Sequence, residues 1–259
     1  MPAREFVSQL RTASVSTFDA ILLRPYLDVF GERVSERFTI LGNARTGSNY
    51  LLDGLKTSAS VRMYHEIFAA HNREIGRDFD RILSSLFRKE RKGTRFVGFK
   101  LFYNHLTPDE WEKFRAHKEF KIIHLTRLNR LRTILSLDIA FRTGQWTRSS
   151  RAKDQDPELR RVELDASKLL ARIEAIRDQE TLARSRFDDR PVLEVVYETM
   201  AAQPAETFKR VGDFLGITDI DPSRIPIRRQ NPERLDYLII NFSEVWELLR
   251  DTEFAGYLD

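Results

Sequence analysis

Apolar residues along the chain fall into short runs separated by longer amphipathic stretches. The β-rich runs are Phe38-Thr39-Ile40-Leu41, Val61-Arg62-Met63-Tyr64, Phe96-Val97-Gly98-Phe99, Lys121-Ile122-Ile123-His124-Leu125 and Val192-Leu193-Glu194-Val195-Val196-Tyr197. Between them a helical period predicts helices at about 48–57, 77–90, 107–117 and 129–143, with a long charged one at 164–187. Residues 15–35 read as a helical lead-in ending near Gly31. Two more helices close the chain. Phe208, Val211 and Leu215 share one face of the first, with Gly216 as its C-cap, and the second covers about 235–250. Strands alternating with helices predict right-handed crossovers and a mainly parallel sheet covered on both faces. The expected architecture is a single α/β domain over 37–259, with 1–36 as a lead-in belonging to it.

Composition narrows the function classes. The 259 residues carry 41% hydrophobic and 32% charged side chains, ordinary for a globular enzyme and too apolar for a disordered chain. No repeat, low-complexity tract or Pro/Gly/Ser-rich linker divides them. Cysteine is absent, which excludes disulfide scaffolds, thiolate catalysis, iron–sulfur clusters and cysteine zinc sites, and fits a reducing, cytoplasmic setting. Apolar runs such as Ala20-Ile21-Leu22-Leu23 fall far short of the ~20 residues that span a bilayer. Arg4, Glu5 and Arg11 interrupt the N-terminus, so no signal peptide is expected. Lys and Arg total 43 against 39 Asp and Glu, a net +4, and the pI is 9.3. That balance suits a polyanionic ligand, either nucleic acid or a nucleotide phosphate.

The first strand runs directly into Gly42-Asn43-Ala44-Arg45-Thr46-Gly47-Ser48-Asn49-Tyr50 and then the helical Leu51-Leu52-Asp53-Gly54-Leu55. Gly42 and Gly47 have P-loop spacing, but Ser48 stands at the lysine position. A glycine-bearing turn from strand to helix still aims backbone N–H groups and the helix dipole at an anion. Arg45 adds a forked cation, and the Thr46 and Ser48 hydroxyls can donate to phosphate oxygens. An ordinary βα turn, with Gly47 at positive φ and Ser48 as cap, explains the same spacing. Without the lysine and a Walker-type carboxylate strand, a Mg-dependent NTPase is disfavoured.

This strand–loop–helix resembles the 5′-phosphosulfate loop of sulfotransferases that use 3′-phosphoadenosine 5′-phosphosulfate. More precisely, it is similar to the bacterial carbohydrate sulfotransferases, including the nodulation-factor type. The resemblance implies a P-loop-like sulfotransferase fold. It also implies that Arg45, Thr46, Gly47, Ser48 and Asn49 grip the 5′-phosphate and polarise the sulfuryl group.

Further along, Arg127 ends the fourth strand, where open α/β sheets bind ligands, and Ser136 lies two turns into the next helix. Taken alone, a snorkelling arginine and a surface serine account for both. Sulfotransferases hold the 3′-phosphate with an arginine here and a serine eight positions later. In this chain Arg127 precedes Ser136 by nine, so Arg127, Arg130 and Arg132 all compete for that role. Arg228 and Arg229, adjacent in a proline-bounded loop, form a phosphate clamp near the basic loop that the cytosolic class uses. Val195-Val196-Tyr197-Glu198, Pro204 and Phe214-Leu215-Gly216 match the end of the family's domain. The likeness continues through Leu235, Asn241-Phe242 and the last helix, and covers about 38–259.

Sulfuryl transfer to a hydroxyl needs a base. In Tyr64-His65-Glu66, strand alternation puts Tyr64 and Glu66 on one side and His65 on the other. The resemblance, with Gly-Glu at this point, nominates Glu66. Lys100 stands at the predicted end of the third strand with His105 five residues on. The cytosolic class places a lysine and a histidine base there, so Lys100 is expected to neutralise charge on the bridging oxygen and His105 is the rival base. No metal-ligand spacing is present, and no metal is expected. The basic runs 88–92 and 148–151 read as solvated turns, the second following Gln145-Trp146 as part of an acceptor lid.

The leading expectation is therefore transfer of a sulfuryl group from 3′-phosphoadenosine 5′-phosphosulfate to a carbohydrate or glycolipid hydroxyl, releasing adenosine 3′,5′-bisphosphate. An ATP-dependent phosphotransferase and a nucleic-acid-binding protein are the alternatives. The second of these leaves the loop, arginine–serine and clamp motifs without a purpose, so no nucleic-acid partner is expected.

Overall fold

The computed structural model describes residues 24–73, 78–146, 157–226 and 233–258. Within them β1 (Glu36–Gly42), β2 (Val61–Tyr64), β3 (Phe96–Phe102), β4 (Phe120–Thr126) and β5 (Val192–Val196) form one sheet. All its pairings are parallel, in the order β2-β3-β1-β4-β5. The predicted α/β architecture is thus observed. β1 is flanked on both sides, with Leu41 opposite Leu101 of β3 and His124 of β4. Such central strands bury both faces and read as nearly unbroken apolar runs.

Alternation along β1 sends side chains to two different cores. Phe38 and Ile40 pack with Leu51, Leu52 and Leu55 of α2 (Ser48–Leu55) and with Phe208, Val211 and Leu215 of a later helix, Pro204–Leu215. The later helix approaches so closely that a Cβ on Gly54 would lie 2.2 Å from the Phe208 ring. Leu41 joins the opposite face, an aromatic cluster of Phe99, Trp111, Phe114, Phe120 and Phe187. Helices α3 (Ala70–Arg73), α4 (Phe79–Ser85), α5 (Pro108–Ala116), α6 (Arg130–Thr143) and α7 (Ala166–Arg186) complete the crossovers, and the lead-in contributes α1 (Arg24–Phe30), ending before Gly31. Beyond β5 come α8 (Tyr197–Ala202), α9 (the Pro204–Leu215 helix, closed by Gly216 at φ 86°), α10 (Leu235–Leu238) and α11 (Phe242–Leu249).

Several boundaries differ from expectation, each for a local reason. The 77–90 helix shrinks to α4. Asp78 caps its start, while Leu86 and Phe87 tighten its end by donating three residues back. Glu90 is then drawn inward, its backbone pairing with Glu32 and its carboxylate accepting from Tyr64 Oη at 2.7 Å, so that part of the run is not a solvated turn. The 235–250 helix breaks at Ile239, which bridges to Val162, and Asn241 beside it bonds both backbone groups of Leu164. Tyr197, expected in the last strand, opens α8 instead.

Chain connections leave β1 towards β3 and β2 on one side, and leave β4 towards β5 on the other. The carboxyl ends of β1 and β4 are therefore the switch point at which open parallel sheets form a crevice.

Candidate active site

Both predicted loops open at that switch point. After β1, Arg45 has φ 68°, the one non-glycine residue at positive φ among those described, and Gly47 has φ 89°. Left-handed backbone at an arginine is a strained arrangement that packing must hold. Thr46 Oγ1 donates to Asn43 O at 2.8 Å, and Asn43 Oδ1 accepts from Ala44 N–H at 2.9 Å. These two bonds curl the loop onto the start of α2. Gly47 caps α2 without any side-chain cap hydrogen bond, and the first turn of α2 begins at the carboxyl end of β1, beside the crevice.

Arg45 reaches across to the β4 side. Its Nε donates to Ser136 Oγ at 3.0 Å and its Nη1 to the Trp146 carbonyl at 2.6 Å, while its own carbonyl accepts from Arg127 Nη1 at 3.2 Å. Burial pulls the Arg45 guanidinium below its ordinary pKa, with Tyr197 working the other way. Arg45, Arg127 and Ser136 thus converge. The other two candidate arginines bond other groups. Arg130 bonds Glu180 at 2.5 and 3.1 Å and Tyr257 Oη at 2.5 Å, and Arg132 donates to the Glu233 carbonyl at 3.2 Å. Arg228 and Arg229 lie outside the described residues, as does the 148–151 run.

On the β3 side, β3 continues two residues past its expected end and Lys100 sits inside it, opposite Ile40 and only 2% exposed. Its Nζ meets Asn49 Oδ1 at 2.6 Å and Glu66 Oε1 at 2.8 Å. Strand alternation does not govern Glu66, because β2 stops at Tyr64. Bonds from Ile67 N–H to His65 O and from Ala69 N–H to Glu66 O make a turn that carries the carboxylate to the lysine. Partial desolvation of the His65 ring, then the neighbouring Lys100 and Lys56, lower its pKa.

His105 lies just beyond the end of β3. Phe102 N–H donates to its Nδ1 at 3.1 Å and its ring packs on Phe102 at 4.9 Å. That bond occupies the Nδ1 lone pair of the ring.

Two further residues shape the crevice. The Arg127 guanidinium stacks over the Tyr197 ring at 4.5 Å, and a Cβ on Gly47 would lie 2.6 Å from Tyr197 Cδ2. Glu198 accepts from the N–H groups of Leu128 at 3.0 Å and Asn129 at 3.3 Å, with Arg127 Nε 3.9 Å away. Tyr197 wedges the two loops apart while Glu198 fixes the turn bearing Arg127. The sequence marked neither for this role, since Tyr197 read as the end of the last strand. Gly47→Ala should lower the thermal midpoint, since a left-handed alanine costs about 1–2 kcal/mol and the methyl also displaces the Tyr197 ring. A melting curve unchanged from wild type would overturn both the left-handed penalty and the ring contact.

Residues 37–239 match the Stf0 sulphotransferase family. The chain belongs to that family. As a Stf0 sulphotransferase it is an enzyme dependent on 3′-phosphoadenosine 5′-phosphosulfate. It is 27% identical to Nodulation protein H of Rhizobium tropici over 238 residues, 86% of this chain and 93% of that protein. A solved sulfotransferase from Alicyclobacillus acidocaldarius shares the fold, with a TM-score of 0.50 at 16% identity, covering 87% of this chain and 100% of that one. No helix among the described residues is long and apolar enough to cross a membrane, and among them no three His, Asp or Glu side chains gather to hold a metal ion.

Proposed function

We propose that this sulphotransferase works in the cytoplasm and moves the sulfuryl group to a hydroxyl of a carbohydrate or glycolipid acceptor by in-line displacement. Glu66 takes the acceptor proton as the hydroxyl oxygen bonds to sulfur. The bond from sulfur to the bridging oxygen breaks, and adenosine 3′,5′-bisphosphate leaves with the developing negative charge. Lys100, Arg45 and the first-turn amides of α2 stabilise that charge, with Thr46, Ser48 and Asn49 shaping the 5′-phosphate cradle. Arg127 and Ser136, with Arg228 and Arg229, hold the 3′-phosphate. No covalent intermediate is needed; positioning and preorganised charge do the chemistry.

The observation that carries this reading is the convergence at the switch point. Arg127 bonds the Arg45 carbonyl and Arg45 bonds Ser136, so cations and a hydroxyl suited to two phosphates share one crevice beside the Lys100–Glu66 pair. The acceptor class is supported by an exposed aromatic pair at its mouth. Phe141 (69% exposed) and Trp146 (46%) meet edge to face at 5.1 Å, and the Trp146 carbonyl is bonded to Arg45. Such rings offer the flat apolar surface on which the C–H faces of sugars pack, and the resemblance to bacterial carbohydrate sulfotransferases points the same way.

Isothermal titration with adenosine 3′,5′-bisphosphate and with 5′-AMP tests the donor assignment. Each charge-assisted bond to the 3′-phosphate is worth roughly 1.5–3 kcal/mol, so the bisphosphate should bind at least about tenfold more tightly than AMP. Equal affinities would return the site to an ATP-type phosphate binder.

A further inference from the structure

Glu66 stands on the least supported part of the sheet. β2 is four residues long and pairs with β3 alone, and Glu66 lies on the turn that leaves it. Lys100 holds the inner side of that turn, its N–H donating to His65 O at 3.3 Å and its ammonium to Glu66. Phe68, fully buried against Phe79 and Phe99, fixes how deep the turn sits. A ring in an aromatic cluster leaves the attached backbone free to pivot, and a pivot would swing the Glu66 carboxylate.

Arg73, the last residue of α3, removes that freedom. Its Nε donates to Phe68 O at 3.1 Å and its Nη2 to His105 O at 2.8 Å. Nη1 and Nη2 also grip both oxygens of Glu110, at 2.6 and 3.0 Å. Glu110 is itself anchored as the third residue of a capping box with Thr107 at the start of α5. Burial pushes the Glu110 carboxyl up, but the bonds from Arg73 and Thr107 outweigh it and hold the group below its ordinary range, so it stays an anion for the clamp. One guanidinium therefore ties the Glu66 turn to the β3–α5 connection and to a helix end.

We propose that Arg73 is a positioning residue for the base, its fork of hydrogen bonds setting where the Glu66 carboxylate stands relative to Lys100 and the acceptor hydroxyl. The inference rests on the reading of Glu66 as the base. Arg73 touches no reacting atom, and a backbone carbonyl, a carboxylate and a second carbonyl in three directions need a planar fork that lysine cannot copy.

The test is a double-mutant cycle. Arg73→Ala and Arg73→Lys are made in wild type and in Glu66→Gln. Single-turnover sulfate transfer from ³⁵S-labelled donor is followed with chitotetraose and, separately, with water as the acceptor. A misplacement of about 1 Å can cost on the order of 10²-fold, so Arg73→Ala in wild type should slow transfer ~10- to 100-fold, with Arg73→Lys intermediate. Affinity for adenosine 3′,5′-bisphosphate should stay within about twofold. In the Glu66→Gln background the same change should cost less than about twofold, because Arg73 acts through Glu66. Equal losses in both backgrounds would make Arg73 a general prop and overturn the proposal, as would an undiminished rate in wild type. If Arg73→Ala does not fold, Arg73→Lys carries the comparison. Full activity of Glu66→Gln alone would instead overturn the base assignment, and the positioning role with it.

Discussion

Glu66→Gln should slow sulfuryl transfer by at least ~10²-fold, the lower range for general-base catalysis. Glutamine keeps the shape of the side chain and an oxygen for Lys100, which also retains Asn49 Oδ1 at 2.6 Å. What disappears is the ability to take a proton. Affinity for adenosine 3′,5′-bisphosphate should barely move, because the carboxylate is not assigned to the nucleotide. His105→Ala is the matched control and should be mild in rate, because the ring already spends its Nδ1 lone pair on Phe102 N–H. Single-turnover transfer at saturating donor, with the same acceptor for both variants, decides between them. A dead His105→Ala beside a near-normal Glu66→Gln would move the chemistry to the histidine.

Arg45→Ala should nearly abolish transfer and weaken bisphosphate binding by roughly ten- to a hundredfold, the equivalent of one charge-assisted hydrogen bond. Alanine and arginine suffer the same penalty at φ 68°, so backbone strain cancels in the comparison and the loss reports the cation. Arg45→Gly sharpens the point. Glycine enters the left-handed region freely, so this variant should melt no lower than Arg45→Ala while being equally inactive. Calorimetry and melting curves on both variants check this. Bisphosphate affinity equal to wild type in either one would remove Arg45 from the donor site.

The strand–loop–helix at the centre of the candidate site could be read from the chain before any coordinates. The run Phe38–Leu41 followed by Gly42 and Gly47 has a single sensible folding, and the loop lies where that pattern put it. The identity of the working arginine could not be read. Spacing left Arg127, Arg130 and Arg132 in competition, and the partners that Arg130 and Arg132 find, Glu180, Tyr257 and Glu233, are all distant in sequence. Tyr197 and Glu198 escaped for the same reason, since their partners exist only once β5 lies beside β4. Strand alternation was expected to set the side of Glu66, but β2 ends at Tyr64 and a turn carries the carboxylate to Lys100 instead. Lys100 was legible as a residue but not as a buried one, because its burial comes from two further residues of strand beyond it.

The pairing of β1 has a consequence for how the enzyme comes into being. Glu36 lies opposite Phe96, Arg37 opposite Phe120, and His124 opposite Glu194, so the central ladders join segments many tens of residues apart. Contacts of this range must close long loops before they return any stabilisation, which slows the search and leaves little native structure in the early ensemble. The crevice is bounded by the ends of strands that meet only when β1 inserts between β3 and β4. Half of it cannot form first and wait for the rest. A chain emerging from the ribosome therefore has no complete crevice until β4 has followed.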